Sequence, residues 1–467
     1  MTTRFTSIAL LTTLLFSSLF AADAPVDMNK RAEELKNLKW GMFICWSFST
    51  FSGTEWTPGI TDVSYFKATG CDTDQWAKTA KEAEMGYILF LTKHHDGFCL
   101  WDTKTTDRKV TKAPLGRDVL AELKKSCDKY GIKLALYFSE GDWTWEGSVQ
   151  GKKSGPNPEM KKAQLKELLT QYGPIEYIWF DHAVGDGGLS HSNTVEFCKS
   201  LQPGCFIGFN HGPAAGDIRL GEMGKPGPLS DESGAGFNAG HMKGYKGYML
   251  AEFTYPILPG HKGGAMWFYS LPIHDGLCLP AKKLYKDYRG AVKYGNIYSL
   301  DVGPDYAGKL RDIDVKTLRE VGDMIRNPPQ QVNAPVPLSQ GKTATAPSSW
   351  SAEYDAAKAV DGEEWTRWGA APDALSGWLV VDLGKDEQVG RVQIIEESCP
   401  RTKEFTIEYR VGDTWKELAR GTTIGENKMI SFPPVTARHV RLNILKASGV
   451  PTIEEFRVLP PASGVTQ

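Results

Sequence analysis

"RDVLAELKKSCDKYGIKLALYFS", residues 117 to 139, sets an amphipathic stretch directly before a short apolar run. The stretch ends in Tyr130-Gly131, a helix stop signal. The run that follows, "IKLALYF" (132–138), has the length of a buried strand. The same alternation extends in both directions. Upstream stand "GMFICW" (41–46), "DTDQWAKTAKEAEMG" (72–86) and "YILFLT" (87–92). Downstream come "EMKKAQLKELLTQYG" (159–173), "IEYIWF" (175–180), a helix from about Ser192, and "CFIGF" (205–209). Leu165, Leu168, Leu169 and Tyr172 stand at i, i+3, i+4 and i+7, which gives that helix a single apolar face to lay on a sheet. Short buried strands separated by helices are the pattern of parallel βαβ units.

Further apolar runs "YMLAEF" (248–253), "AMWFY" (265–269) and "IYSLDV" (297–302) bring the expected strands to eight. The spacing therefore predicts an α/β fold, a (β/α)8-like TIM barrel, over residues 30–327. "RNPPQQVNAPVPLSQG" (326–341) then breaks the pattern, and 328–340 reads as a linker. From 341 to 460 the runs "WLVVDLG", "RVQIIEES", "EFTIEYRV" and "HVRLNIL" predict an all-β jelly-roll sandwich. At the N-terminus, Arg4, an apolar stretch and the small residues Ala21 and Ala22 read as a signal peptide over 1–22, which predicts a secreted or periplasmic protein without membrane insertion.

Composition narrows the partners. With 41% hydrophobic and 24% charged residues and a formal net charge of −2, the chain is an ordinary globular protein that lacks the basic surface nucleic-acid binding needs. Aromatics at 11% hint at sugar-stacking surfaces, although tryptophans also fill large cores. The eight cysteines are irregularly spaced and read mostly as buried small hydrophobes.

Barrel chemistry gathers at the C-terminal ends of the strands. Those ends carry Cys45 and Trp46, then His94, His95 and Asp96, then Tyr137 and Glu140, then Asp181, then Asn210 and His211. Adjacent residues on an extended chain point to opposite sides, so His94 and His95 fit a shared metal poorly; a clamp for a polyol suits two imidazoles better. In "YIWFDHA" (177–183), Tyr177, Trp179 and Asp181 share one side, an aromatic wall next to a carboxylate that ends an apolar strand. A glycosidase needs a second carboxyl group near the first, for which Glu140, Glu222, Glu232 and Glu252 are the candidates.

Taken together, "WGMFICWS", "EWTPG", "KHHDGFCLWDT", "RDVLAELKKSCDKYGIKLALYFS", "QLKELLTQYGPIEYIWFD" and "GDIRLGEMG" resemble glycoside hydrolase family 29, the retaining α-L-fucosidases, over most of residues 35–325. The resemblance implies Asp181 as nucleophile, Glu222 as acid/base, and Glu55, Trp56, His94, His95, Tyr137, Trp179 and His211 around the sugar. It implies fucosylated glycans as partners, with fucose α-1,3 or α-1,4 linked, no cofactor and no catalytic metal. Cys45 stands where the family usually has a histidine, and His211 where it often has an arginine. These departures keep open a fucose-like sugar such as an α-L-galactoside, or a degenerate carbohydrate-binding protein. Segments "AVDGEEWTRWGA", "GWLVVDLG" and "HVRLNIL" resemble discoidin-like (coagulation factor type C) modules, which implies a structural calcium near Asp361 to Trp368, and for Trp368 either packing or ligand contact.

Overall fold

A computed structural model of the chain describes residues 25–181, 185–210, 216–229, 247–329, 336–396 and 401–462. The expected signal peptide, His211, Glu232, Cys399 and residues 330–335 of the linker lie outside them.

Eight parallel strands form the first unit: β1 (Trp40–Ile44), β2 (Tyr87–Lys93), β3 (Lys133–Ser139), β4 (Tyr177–Asp181), β5 (Phe206–Phe209), β6 (Ile218–Arg219), β7 (Leu250–Pro256) and β8 (Ile297–Asp301). Hydrogen bonding runs in the order β5-β4-β3-β2-β1-β8-β7-β6, a nearly closed TIM-like barrel. At the remaining seam, Asp217 N donates to Ile207 O at 2.7 Å, and the Asp217 carboxylate accepts from Ile207 N at 3.1 Å. Gly208 makes room there, since a Cβ on it would lie 2.7 Å from the Leu220 side chain and 2.8 Å from that of Ile218.

Helices α1 (Met28–Lys36), α2 (Phe48–Ser52), α3 (Thr73–Glu82), α4 (Val119–Tyr130), α5 (Pro158–Gln171), α6 (His191–Leu201), α7 (Ala281–Tyr294) and α8 (Asp312–Arg326) accompany the strands. Side chains of Asp27, Asp72, Asp118, Asn157 and Ser190 accept from free backbone N–H groups at the starts of α1, α3, α4, α5 and α6. Gly131 ends α4 at φ +69°, the left-handed conformation that the Tyr-Gly signal anticipated. The predicted apolar face of α5 is buried, with Leu165, Leu168 and Leu169 at 2% exposure or less.

One strand is misplaced by the sequence reading. Residues 265–269 form a loop, and the sixth strand is the two-residue β6. Gly263 and Gly264 enter that loop at φ +72° and +80°, and the N–H groups of Met266 and Trp267 turn to the Glu55 carboxylate instead of a neighbouring strand.

The second unit has a hydrophobic core of its own. It is an antiparallel β-sandwich of β9 (Thr343–Thr345), β10 (Trp368–Gly369), β11 (Gly377–Ile395), β12 (Thr402–Val411), β13 (Thr414–Gly421), β14 (Lys428–Ala447), β15 (Thr452–Ile453) and β16 (Glu455–Leu459). Two runs expected as separate strands merge into β11, because register shifts between Asp382 and Glu387 and between Val389 and Arg391 bend it without ending its pairing to β14. Loop 361–367 packs on α7 of the barrel: Glu364 pairs with Arg289 at 2.6 Å, Glu363 with Lys293, and Trp365 meets the edge of Tyr294. Trp368 is fully buried and its indole N–H donates to Ser348 O at 3.0 Å, a packing residue.

Substituting Gly208→Val puts methyl groups where Leu220 and Ile218 now sit. We expect a loss of about 1–3 kcal/mol, read as a lower urea midpoint.

Candidate active site

Parallel pairing sets Leu91 beside Tyr137 and Tyr137 beside Trp179, one level of the barrel interior. Tyr137 and Trp179 stack with ring centroids 5.3 Å apart. One level up, Ser139 is in register with Asp181. Above this wall opens a cavity of about 570 Å³, lined by Cys45, Glu55, Trp56, His94, His95, Tyr137, Trp179, Asp181 and Glu222. Every site residue that the resemblance implies and the structure describes therefore faces one space, whereas Asp96 and the alternative carboxyl candidates Glu140 and Glu252 are outside its lining; His211 is not among the described residues. Reading by sequence missed Phe43, Leu91, Trp143, Gly151, Lys152, Trp267 and Phe268, which complete the lining. Trp267 and Phe268 sit in the run mistaken for a strand. Their aromatic character was visible, but their placement depends on the Glu55 bond.

His94 and His95 do not point apart. β2 ends at Lys93, and a turn in which Gly97 N donates to His94 O at 3.1 Å follows, so the alternation of a strand no longer applies. Their rings stack at 4.1 Å. Gly97 is needed at φ +78° because a Cβ there would meet Asp142 Oδ1 at 2.5 Å. Asp96 turns away from the cavity and pins the loop, accepting from Thr57 Oγ1 at 2.6 Å and Phe98 N at 2.9 Å. Burial holds His94 neutral, well below the usual imidazole range, and its Nδ1 meets no hydrogen-bond partner among the described residues.

Asp181 is held from several sides. Tyr137 Oη donates to Oδ2 at 2.7 Å, His95 Nε2 lies 3.5 Å from the same oxygen, and Asn210 Nδ2 donates to Oδ1 at 3.2 Å. His95 is itself oriented by Ser139 Oγ, 2.8 Å from Nδ1. Asn210 Nδ2 also donates to Glu222 Oε2 at 2.8 Å, so one amide nitrogen bridges the two carboxyl groups. Glu222 reaches the cavity because its backbone bridges to Thr254 of β7 immediately after β6.

The other candidate carboxyl groups are separated by their surroundings. Glu140 is fully buried behind the wall, bonded to Lys161 Nζ at 2.8 Å and His191 Nε2 at 2.9 Å, and its backbone N–H donates to Asp181 O at 2.6 Å. Glu252, buried on β7, accepts from the Trp179 indole N–H at 3.3 Å. Burial pushes it up to about 7, against hydrogen bonds from Ser299 and Trp179, with the nearby charge of Glu222 adding to the rise. Glu55 is likewise raised by burial, partly offset by the Met266 and Trp267 N–H groups. Cys45 lines the cavity floor beside Asp301, whose carboxyl group burial lifts well above its ordinary range.

Ligand atoms of His94, His95 and Asp181 lie within 4.8 Å of one another, closer than adjacency in a strand would allow. His95 and Asp181 already engage Ser139, Tyr137 and Asn210, and His94 Nδ1 is buried without a hydrogen-bond partner among the described residues. No helix among the described residues is long and apolar enough to cross a membrane.

Residues 61–327 match the family model described as alpha-L-fucosidase, and residues 343–456 match the F5/8 type C domain. Over 451 residues the chain is 28% identical to alpha-L-fucosidase 1 of Arabidopsis thaliana, covering 88% of this chain and 83% of that protein. Putative alpha-L-fucosidase 1 of Oryza sativa subsp. japonica is 27% identical over 458 residues, 91% of this chain and 83% of that one. Among solved structures, a putative alpha-L-fucosidase from Bacteroides ovatus superposes with a TM-score of 0.51 at 26% identity, over 94% of this chain and 74% of its own.

A carboxyl group raised to about 7 when folded binds its proton more tightly than in the unfolded chain, so Glu252 withdraws stability as pH climbs from about 4.5 through 7. Glu252→Gln has no such loss. Urea titrations at pH 5 and pH 8 should show the variant gaining on the wild type by about 1–3 kcal/mol between the two.

Proposed function

Because the chain belongs to the alpha-L-fucosidase family of glycoside hydrolases, we propose that it removes terminal fucose, α-1,3 or α-1,4 linked, from glycans with retention at the anomeric carbon. The observation that carries this reading is the Asn210 amide shared by Asp181 and Glu222. Two oxygens hydrogen-bonded to one nitrogen lie within the span of two hydrogen bonds. That supports the roughly 5–5.5 Å of a retaining pair over the separation of about 6.5–9.5 Å at which inverting enzymes hold their carboxylates around a water.

Chemistry proceeds in two displacements. An oxygen of Asp181 attacks C1 as the bond from C1 to the glycosidic oxygen breaks, and Glu222 gives its proton to the departing oxygen. Glu222, now a carboxylate, takes a proton from water as that water attacks C1 and releases Asp181. Tyr137, Asn210 and His95 hold the Asp181 oxygens toward the cavity, so little reorganisation is needed at the moment of attack. Neutral His94 lines the cavity and offers its ring to a sugar hydroxyl, and the Trp179 and Tyr137 rings bound the apolar face of the sugar. Each atom transferred is supplied by these side chains, the sugar and water, so no cofactor enters the scheme.

The test is hydrolysis of 4-nitrophenyl α-L-fucoside and of an α-1,3/1,4-fucosylated oligosaccharide by wild type, Asp181→Ala and Glu222→Ala. We expect Asp181→Ala to lose several orders of magnitude in kcat, with azide restoring turnover of activated substrates, and proton NMR to show the α-anomer as first product. Turnover of the α-L-galactoside alone would transfer the mechanism to another sugar, the outcome that Cys45 on the cavity floor favours. Sugar binding without turnover of either glycoside would leave a carbohydrate-binding protein.

Two features beyond the cavity belong to the same reading. The basic-apolar segment at 1–22 supports export to the periplasm or the medium, and N-terminal sequencing of the secreted protein should begin near Ala22. A structural calcium in the sandwich would be held by Asp361 and Glu455: Glu455 Oε1 is buried with no side-chain hydrogen-bond partner among the described residues, Oε2 pairs with Arg457 at 3.3 Å, and burial, against Arg457 and with the Asp361 charge adding, raises Glu455 to about 7. Carboxylate oxygens of that kind suit a hard cation. Adding millimolar calcium should raise the melting temperature of the wild type and not that of Glu455→Gln.

A further inference from the structure

Glu252 is buried without a role in the scheme above. It lies on β7 inside the barrel, fully shielded from solvent, with Oε2 accepting from the Trp179 indole at 3.3 Å and the Ser299 hydroxyl and Gly221 N–H also turned to its carboxyl group. A carboxyl group in such a place costs stability, because desolvation is only partly compensated.

Its contact leads into the site. Trp179 is fixed by the bond to Glu252, its ring stacks on Tyr137, and the Tyr137 hydroxyl donates to Asp181 Oδ2 at 2.7 Å. Phe43 tilts against both rings and holds them from the β1 side. The chain from Glu252 to Asp181 thus passes through two rings and two hydrogen bonds, and the parallel register sets the two rings side by side. Below it, the hydroxyls of Tyr87 and Tyr177 meet on Ser299, 2.8 and 3.0 Å away, and close the barrel floor.

We propose that Glu252 is a positioning residue for the glycosidase reaction: it sets the plane of Trp179, and through the stacked Tyr137 it aims the Asp181 oxygen at the sugar. The inference rests on Asp181 being the nucleophile. Glu252 touches no substrate, so its effect reaches the reaction only through this wall.

The experiment compares Glu252→Gln, Glu252→Leu, Tyr137→Phe and the double variant Tyr137→Phe/Glu252→Leu with Asp181→Ala as control, measuring kcat, KM and melting temperature on the aryl fucoside. Gln keeps a carbonyl oxygen for the indole N–H and is expected within about threefold of the wild type in kcat/KM. Leu removes the acceptor and is expected to lower kcat about tenfold or more, the scale of losing one hydrogen bond that orients a reacting group. The double variant should be little worse than its poorer single parent, since both substitutions loosen the same contact.

Full activity in Glu252→Leu, equal loss in the Gln and Leu variants, or fully additive losses in the double variant would each overturn the proposal. So would a fall in activity that merely tracks a fall in melting temperature. Failure of the underlying reading looks different: Asp181→Ala would then keep wild-type turnover, whatever the Glu252 variants do.

Discussion

Parallel pairing across β2, β3, β4 and β5 is the constraint from which the site follows. It sets Leu91, Tyr137, Trp179 and Gly208 at one level. Side chains at one level of a closed barrel must share its interior, so two large rings on adjacent strands stack, and the next strand carries a glycine. Gly208 then lets Leu220 and Ile218 approach, which draws β6 against the seam and carries the chain directly to Glu222. A one-residue slip of β4 would turn Trp179 and Asp181 outward and Ile178 and Phe180 inward.

Five carboxyl groups lie in or beneath the cavity, and burial treats them differently. Asp181 and Glu222 share an amide donor, whereas Glu55, Glu252 and Asp301 are pushed toward the protonated form by desolvation. Shifting these groups toward the protonated form lessens the repulsion they add to a site that must already hold one carboxylate. Behind the wall, the enclosed Lys161 bridges Glu140 to Thr194 and to the carbonyls of Asp186 and Leu189, tying the segment after β4 to α5 and α6. Removing one partner of such a buried pair would leave the other charge uncompensated.

Loop 361–367 of the sandwich is engaged with α7 through Glu363, Glu364 and Trp365. Individually, partly exposed ion pairs contribute little. The Trp365 ring, set against Tyr294 and close over Gly290, gives the contact its apolar part. This edge of the sandwich faces the barrel, so a glycan reaching the second unit would have to meet another of its surfaces.

Local pattern was enough to identify the eight-stranded barrel, the antiparallel sandwich, the α5 face at Leu165, Leu168 and Leu169, and the shared side of Trp179 and Asp181. Each rests on the 3.6- and 2-residue periods or on a stop signal, which the chain carries over a few neighbouring residues. Those periods could not say that 265–269 leaves the sheet, because the deciding acceptor, Glu55, lies more than two hundred residues away. Nor could they show that His94 and His95 stack, since that turn is shaped by Asp142 behind Gly97. Spacing alone does not choose among Glu140, Glu222 and Glu252; the resemblance of "GDIRLGEMG" points to Glu222, and tertiary structure supplies a physical difference between them. All three follow strands or lie on them, and only the closed barrel decides that Glu140 meets Lys161, Glu252 meets Trp179, and Glu222 meets the amide that Asp181 shares.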